Sequence, residues 1–69
     1  MDIIDRVAQV KFDFEVSTEL RPSYIYVGET EYSELLACVR KHGHRAVNIY
    51  TIEGLDIVEV KMQNHLRVS

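Results

Sequence analysis

SYIYVGETEYSELLACVRKHG, residues 23–43, predicts a strand that leads directly into a helix. The aromatic and β-branched run SYIYV is typical of a strand, and Gly28 ends it. Thr30 is a candidate helix N-cap, and Gly43 can supply the left-handed residue that follows the last turn. Apolar residues between them recur at helical spacing, at Tyr32, Leu35, Leu36 and Val39. We therefore predict a helix from Thr30 to His42.

Both faces of the predicted strand carry bulky side chains. Ile25 and Val27 share one face, and Tyr24 and Tyr26 share the other, because successive side chains of a strand alternate. This pattern is expected for a strand that is covered on both sides or that lies at an interface.

A first helix is predicted from Asp2 to about Val16. Its apolar residues Ile3, Val7, Val10 and Phe14 line one side of a helix, and Asp2 fits the N-cap. The alternative is a short strand at residues 12–16, where apolar and acidic residues alternate. The longer helical period favours the helix.

After Gly43 the apolar period changes to two. We predict a strand at residues 46–50, a hairpin loop at residues 51–54 with its turn at Gly54, a strand from Leu55 to Met62 and a short final strand, Leu66 to Val68. If the strands at 24–27 and 46–50 are neighbours, the helix between them makes a right-handed parallel crossover.

The predicted fold is a single α+β domain over residues 1–69, in the order α-β-α-β-β with a short final β. Two helices pack on one face of a three- or four-stranded mixed sheet. The other face keeps considerable apolar area.

Composition excludes several classes of protein. The chain has 69 residues, a net charge of −3 and one cysteine, Cys38, so no disulfide can form within it. No apolar run approaches the roughly 20 residues of a membrane span, and the start, MDIIDR, is acidic, unlike a signal peptide. We expect a cytoplasmic protein that needs no cofactor and does not contact a membrane.

Four residues are competent to bind zinc: Cys38, His42, His44 and His65. Their spacing lacks the two tight ligand pairs of a structural zinc site. A buried helix cysteine and solvated turn histidines are the favoured interpretation, and no metal site is predicted.

Catalytic chemistry is not indicated. Cys38 falls in the C-terminal half of its helix, where the dipole opposes a thiolate. Glu29, Glu31 and Glu34 are interpreted as first-turn helix acids on a solvated face, and they would repel a phosphate at the preceding Gly28. We predict that the protein is not an enzyme.

Charge is distributed unevenly along the chain. Residues 1–35 hold eight acidic and three basic residues, a net charge of −5, and residues 36–69 hold three acidic and five basic residues, a net charge of +2. This division suits contact between copies or docking on a charged assembly. Arg40, Lys41 and Arg45 form a basic turn that could contact an anion, with Lys61 as a further candidate, but the acidic total disfavours nucleic acid.

Three segments together resemble a pattern common in tailed-phage proteins: RPSYIYVG at residues 21–28, EY and LL within residues 31–36, and IEGLDIVEV at residues 52–60. A similar strand, helix and hairpin unit occurs in the major capsid proteins of tailed phages. The resemblance covers about residues 20–62 and implies a small phage or prophage protein with a structural or accessory role, located in the host cytoplasm or the virion.

These observations together predict a non-enzymatic protein–protein interaction module that self-associates as a homo-oligomer or binds another protein. The candidate interface residues are Tyr24, Tyr26, Tyr50 and Ile57. The alternative is a regulatory module that binds metal or nucleic acid through the turn from Arg40 to Arg45.

Overall fold

The computed structural model describes residues 2–41, 43 and 49–69, which form two helices and a four-stranded mixed sheet. In chain order the elements are α1 (Ile3–Thr18), β1 (Tyr24–Val27), α2 (Glu29–Lys41), β2 (Thr51–Ile52), β3 (Leu55–Glu59) and β4 (Leu66–Val68). The strands lie in the order β2-β3-β1-β4. Strand β1 is parallel to β3 and antiparallel to β4, and β2 is antiparallel to β3. The predicted α+β class is confirmed.

Helix α1 begins and ends with local capping contacts. The Asp2 side chain accepts a hydrogen bond from the Asp5 N–H at 3.1 Å, as the N-cap prediction required. Glu19 terminates the helix in the left-handed region at φ 57°, and its N–H donates to the Glu15 carbonyl. The strand alternative for residues 12–16 is therefore wrong, because that segment is helical throughout.

Helix α2 begins earlier than predicted. The Gly28 carbonyl accepts the first helical hydrogen bond, from the Tyr32 N–H at 2.9 Å, so Thr30 lies inside the first turn and is not the N-cap. Gly28 fits this position because an added Cβ would lie 2.5 Å from the Met62 carbonyl oxygen. At the other end Gly43 has the predicted positive φ, at 91°, and its N–H donates to the Arg40 carbonyl.

The partner of β1 differs from the prediction. Its parallel neighbour is β3, in a register that pairs Ile25 with Ile57. Of the predicted strand at 46–50, residues 46–48 lie outside the described residues, and Ile49 and Tyr50 precede the short β2 without being part of a strand. The β2-β3 hairpin places β3 next to β1 and leaves β2 at the edge of the sheet. The second strand of the hairpin, and not the segment that precedes the hairpin, is therefore the parallel partner of β1.

The hairpin turn lies at Gly54 as predicted, but it is shorter than the predicted loop of residues 51–54, because Thr51 and Ile52 form β2. Glu53 and Gly54 both have positive φ, at 51° and 75°, which suits a two-residue turn between twisted strands. Strand β3 then ends at Glu59, three residues before the predicted Met62. Val60 still donates to the Val27 carbonyl at 2.8 Å, and beyond it the chain bends toward β4.

The core lies between the helices and one face of the sheet. Ile25 and Val27 of β1 are completely buried against Val7 of α1 and Leu35 of α2. Both helices therefore cover the same face. Within the described ranges, neither helix combines the length and the apolar character needed to cross a bilayer.

Candidate functional site

The sheet face turned away from the helices is the candidate site. We call it the open face and define it by five side chains that alternate with the core residues in the strand registers: Tyr24, Tyr26, Asp56, Val58 and Arg67. Nothing among the described elements packs over it, since α1 and α2 both contribute to the core on the opposite side.

Aromatic and aliphatic side chains occupy the centre of the open face. Tyr24 is 46% exposed. Tyr26 is half-buried, and its register partner on β3 is Val58, also half-buried. The Ser69 hydroxyl lies 3.3 Å from the Tyr26 hydroxyl, in hydrogen-bond contact. The two tyrosine rings thus form a central column, and the Ser69 hydroxyl bonds to the Tyr26 end of it.

Opposite charges flank this tyrosine column. Asp56 of β3 is the register partner of Tyr24, and Arg67 of β4 is the register partner of Tyr26. Because β3 and β4 lie on opposite sides of β1, the acid and the base are on opposite sides of the column. Both side chains are exposed, and no salt bridge involves either of them within the described part of the chain.

The structure separates the four predicted interface residues. Tyr24 and Tyr26 lie on the open face, whereas Ile57 points to the covered face and packs against the core. Tyr50 is 74% exposed, but its carbonyl accepts the Ile57 N–H at the β2 side of the sheet. Tyr50 and Ile57 line a recess there with Tyr32 of α2. Ile57 therefore cannot contribute to a surface built on Tyr24 and Tyr26.

The predicted anion contacts and the alternative zinc ligands are only partly described. Arg40 and Lys41 are in the last turn of α2, as expected for cations that favour the negative end of a helix. Cys38 is half-buried against the core. His42, His44 and Arg45 lie outside the described residues. Among the residues that are described, no three His, Cys, Asp or Glu side chains are grouped closely enough to hold a metal ion.

Glu31 has a different environment from the one the sequence suggested. The residue is 2% exposed, and its Oε1 accepts the backbone N–H of His65 at 3.1 Å. Two backbone hydrogen bonds also join the start of α2 to the segment before β4. The Gly28 N–H donates to the His65 carbonyl, and the Glu29 N–H donates to the Met62 carbonyl. Glu31 is thus part of the support that holds β4 and its Arg67 in place.

Asp56 and Arg67 were not among the predicted interface residues. The signal was present in the strand alternation, which places Asp56 on the same face as Val58 and places Arg67 opposite Leu66 and Val68. The alternation does not reveal the order of the strands in the sheet. Without the strand order, Asp56 and Arg67 could not be assigned to opposite sides of β1.

No family model, curated protein or solved structure matches this chain. The function is therefore inferred from the geometry of the open face.

Proposed function

We propose that this chain is a non-enzymatic protein–protein interaction module that self-associates through the open face. The observation that carries the proposal is the apolar centre of that face, at Tyr24, Tyr26 and Val58, over which no described helix or strand packs.

The small core supports the same proposal. In the described residues the hydrophobic core consists of six buried side chains: Ile3, Val7, Ile25, Val27, Leu35 and Leu55. A chain of about 60 residues buries only about 60% of the surface that its unfolded state exposes, so a partner that covers further apolar area adds stability.

Tyrosine is well suited to the centre of such an interface. Its ring buries a large area while few side-chain torsions are immobilised, and its hydroxyl tolerates contact with water before binding. Tyr24 and Tyr26 present two such rings on one strand.

The resemblance to tailed-phage proteins leads us to propose a structural or accessory role in a phage or prophage, in the host cytoplasm or the virion. The identity of the neighbouring genes tests this part. Head, tail or early phage genes on either side would support it, and a conserved setting among bacterial housekeeping genes would contradict it.

The self-association is tested by sedimentation equilibrium between about 10 µM and 1 mM, with Tyr24→Ser against Tyr50→Ser as the matched pair. Both tyrosines are exposed, but only Tyr24 lies on the open face. We expect the Tyr24 variant to associate at least tenfold more weakly than the wild type, and the Tyr50 variant to associate like it. A wild-type chain that is monomeric at 1 mM would overturn the proposal.

A further inference from the structure

The positions of Asp56 and Arg67 restrict how two copies can meet. The acid is on β3 and the base on β4, with the tyrosines of β1 between them. A face with one charge on each side of a central strand is complementary to itself only in certain orientations.

A two-fold axis that runs along β1, between two stacked sheets, exchanges the two sides of the face. It therefore places β3 of each copy over β4 of the other and superimposes the two tyrosine columns. Homodimer interfaces of this kind are self-complementary, because residue i contacts j and j contacts i. Each Asp56 then faces the β4 strand of the second copy.

The side chains can reach each other in this orientation. Arg67 is level with Val58, and Asp56 lies two residues, about 7 Å, along the same strand. Stacked sheets are about 10 Å apart. The methylenes of Arg67 of the second copy would lie over Val58 while its guanidinium extends to Asp56, which is the usual way in which an arginine covers apolar surface.

Two other ways of pairing the copies bring like charges together. An axis across the strands places β3 on β3, and with it Asp56 near Asp56 of the second copy. The copies could also pair edge to edge through β4. Ser69 and Tyr24 exchange backbone hydrogen bonds, so the N–H and C=O of Ser69 face β1. Because these groups alternate in direction along a strand, those of Leu66 and Val68 face outward and would make the edge contact. In the two-fold antiparallel register that uses those groups, Arg67 would lie directly opposite Arg67 of the second copy, and such pairs are destabilising.

The size of the face predicts a weak pair. In the orientation with the axis along β1, strands β3, β1 and β4 of one copy lie over β4, β1 and β3 of the other, and β2 lies outside the overlap. Three strands span about 14 Å, and four residues span about 13 Å along them, so the two copies together cover roughly 400 Å² in projection. Stable specific interfaces bury about 1,200–2,000 Å². The pair is therefore expected at high protein concentration and with a clear dependence on salt, because both charges are exposed.

We infer that the open face binds a second copy of this chain about a two-fold axis along β1, with Asp56 of each copy paired to Arg67 of the other. This inference rests on the proposed self-association and adds its orientation.

A charge-reversal experiment tests the orientation. Asp56→Arg alone and Arg67→Asp alone should each weaken self-association at least tenfold in sedimentation equilibrium at low salt, since each homodimer would then contain two like-charge contacts. An equimolar mixture of the two variants should associate with an affinity within about threefold of the wild type, because both contacts of the mixed pair are again between opposite charges. Circular dichroism checks that both variants fold, and Asp56→Lys with Arg67→Glu gives the same reversal if either does not.

The outcomes separate this inference from the proposed function. A wild type that associates while the mixture of variants does not recover would overturn the orientation and leave self-association standing. A wild type that stays monomeric at 1 mM would overturn both. Recovery in the mixture, lost again in 0.5 M salt, would support the pairing.

Discussion

Glu31 Oε1 accepts the backbone N–H of His65 at 3.1 Å, a contact between the first turn of α2 and the residue before β4. Glu31 is 2% exposed. Glu31 therefore connects α2 to the edge strand β4, which carries Arg67. The position of Arg67 on the open face thus depends on a side chain from the helix layer on the opposite side of the sheet.

Replacing Glu31 should destabilise the fold. Glu31→Ala leaves the His65 N–H without its partner and removes buried side-chain volume, so we expect the free energy of unfolding to fall by about 2–4 kcal/mol. Glu31→Gln keeps an acceptor oxygen and should cost less than half as much. Urea denaturation measures both. The control is Glu34→Ala, because Glu34 is exposed and, among the described residues, makes only a surface salt bridge with Arg6, at 3.5 Å. Equal losses for Glu31→Ala and Glu34→Ala would show that the buried contact does not stabilise the protein.

Gly28 should tolerate no side chain. An alanine Cβ would lie 2.5 Å from the Met62 carbonyl oxygen and 2.6 Å from Glu31 Oε1, and the first of these atoms is backbone. We expect Gly28→Ala to cost about 2–3 kcal/mol and to speed hydrogen exchange at the His65 amide. Gly54→Ala is the matched control, since it has a positive φ but open space around the added Cβ, and it should cost about 1 kcal/mol. A Gly28→Ala protein as stable as the wild type would contradict the close approach.

The orientation of α1 can be tested with one pair of valines. Val7 is completely buried and Val16 is 64% exposed. Val7→Ala should therefore lower the free energy of unfolding by about 2 kcal/mol, or roughly 8–16 °C in Tm for a chain of this size, while Val16→Ala should change it by less than about 0.5 kcal/mol. Thermal denaturation of the two variants compares their stabilities. A larger loss of stability for Val16→Ala than for Val7→Ala would show that the Val16 side of α1, and not the Val7 side, packs against the sheet.

The N-cap of α1 should have a measurable effect. Asp2→Ala removes the acceptor for the Asp5 N–H and is expected to cost about 1 kcal/mol, whereas Asp2→Ser keeps an acceptor and should cost only a few tenths. Chemical denaturation distinguishes the two substitutions. Identical stabilities for the alanine and serine variants would mean that the cap contributes nothing.

Local chemistry allowed much of the fold to be predicted. The helical period of α1, its Asp2 cap, the Gly54 turn and the short strand at Leu66 to Val68 are all found where the sequence placed them, because each depends on residues a few positions apart. Helix α2 is also present, although it begins at Glu29.

Features that depend on distant residues were missed. The start of α2 differs because the segment at residues 62–65 bonds to Gly28 and Glu29, which no local pattern reveals. The same segment buries Glu31, which has the sequence signature of an ordinary first-turn acid. The sequence also could not show that Ile57 lies on a different face of the sheet from Tyr24 and Tyr26, since that depends on the pairing of β3 with β1.

Contact between the two tyrosine columns is the central claim, and isotope-filtered NMR measures it directly. In an equimolar mixture of labelled and unlabelled chains at about 1 mM, the proposed pair predicts nuclear Overhauser effects between the rings of Tyr24 or Tyr26 in one copy and those in the other. Intermolecular effects confined to the exposed Phe12 and Val16 of α1, or none at all, would contradict it.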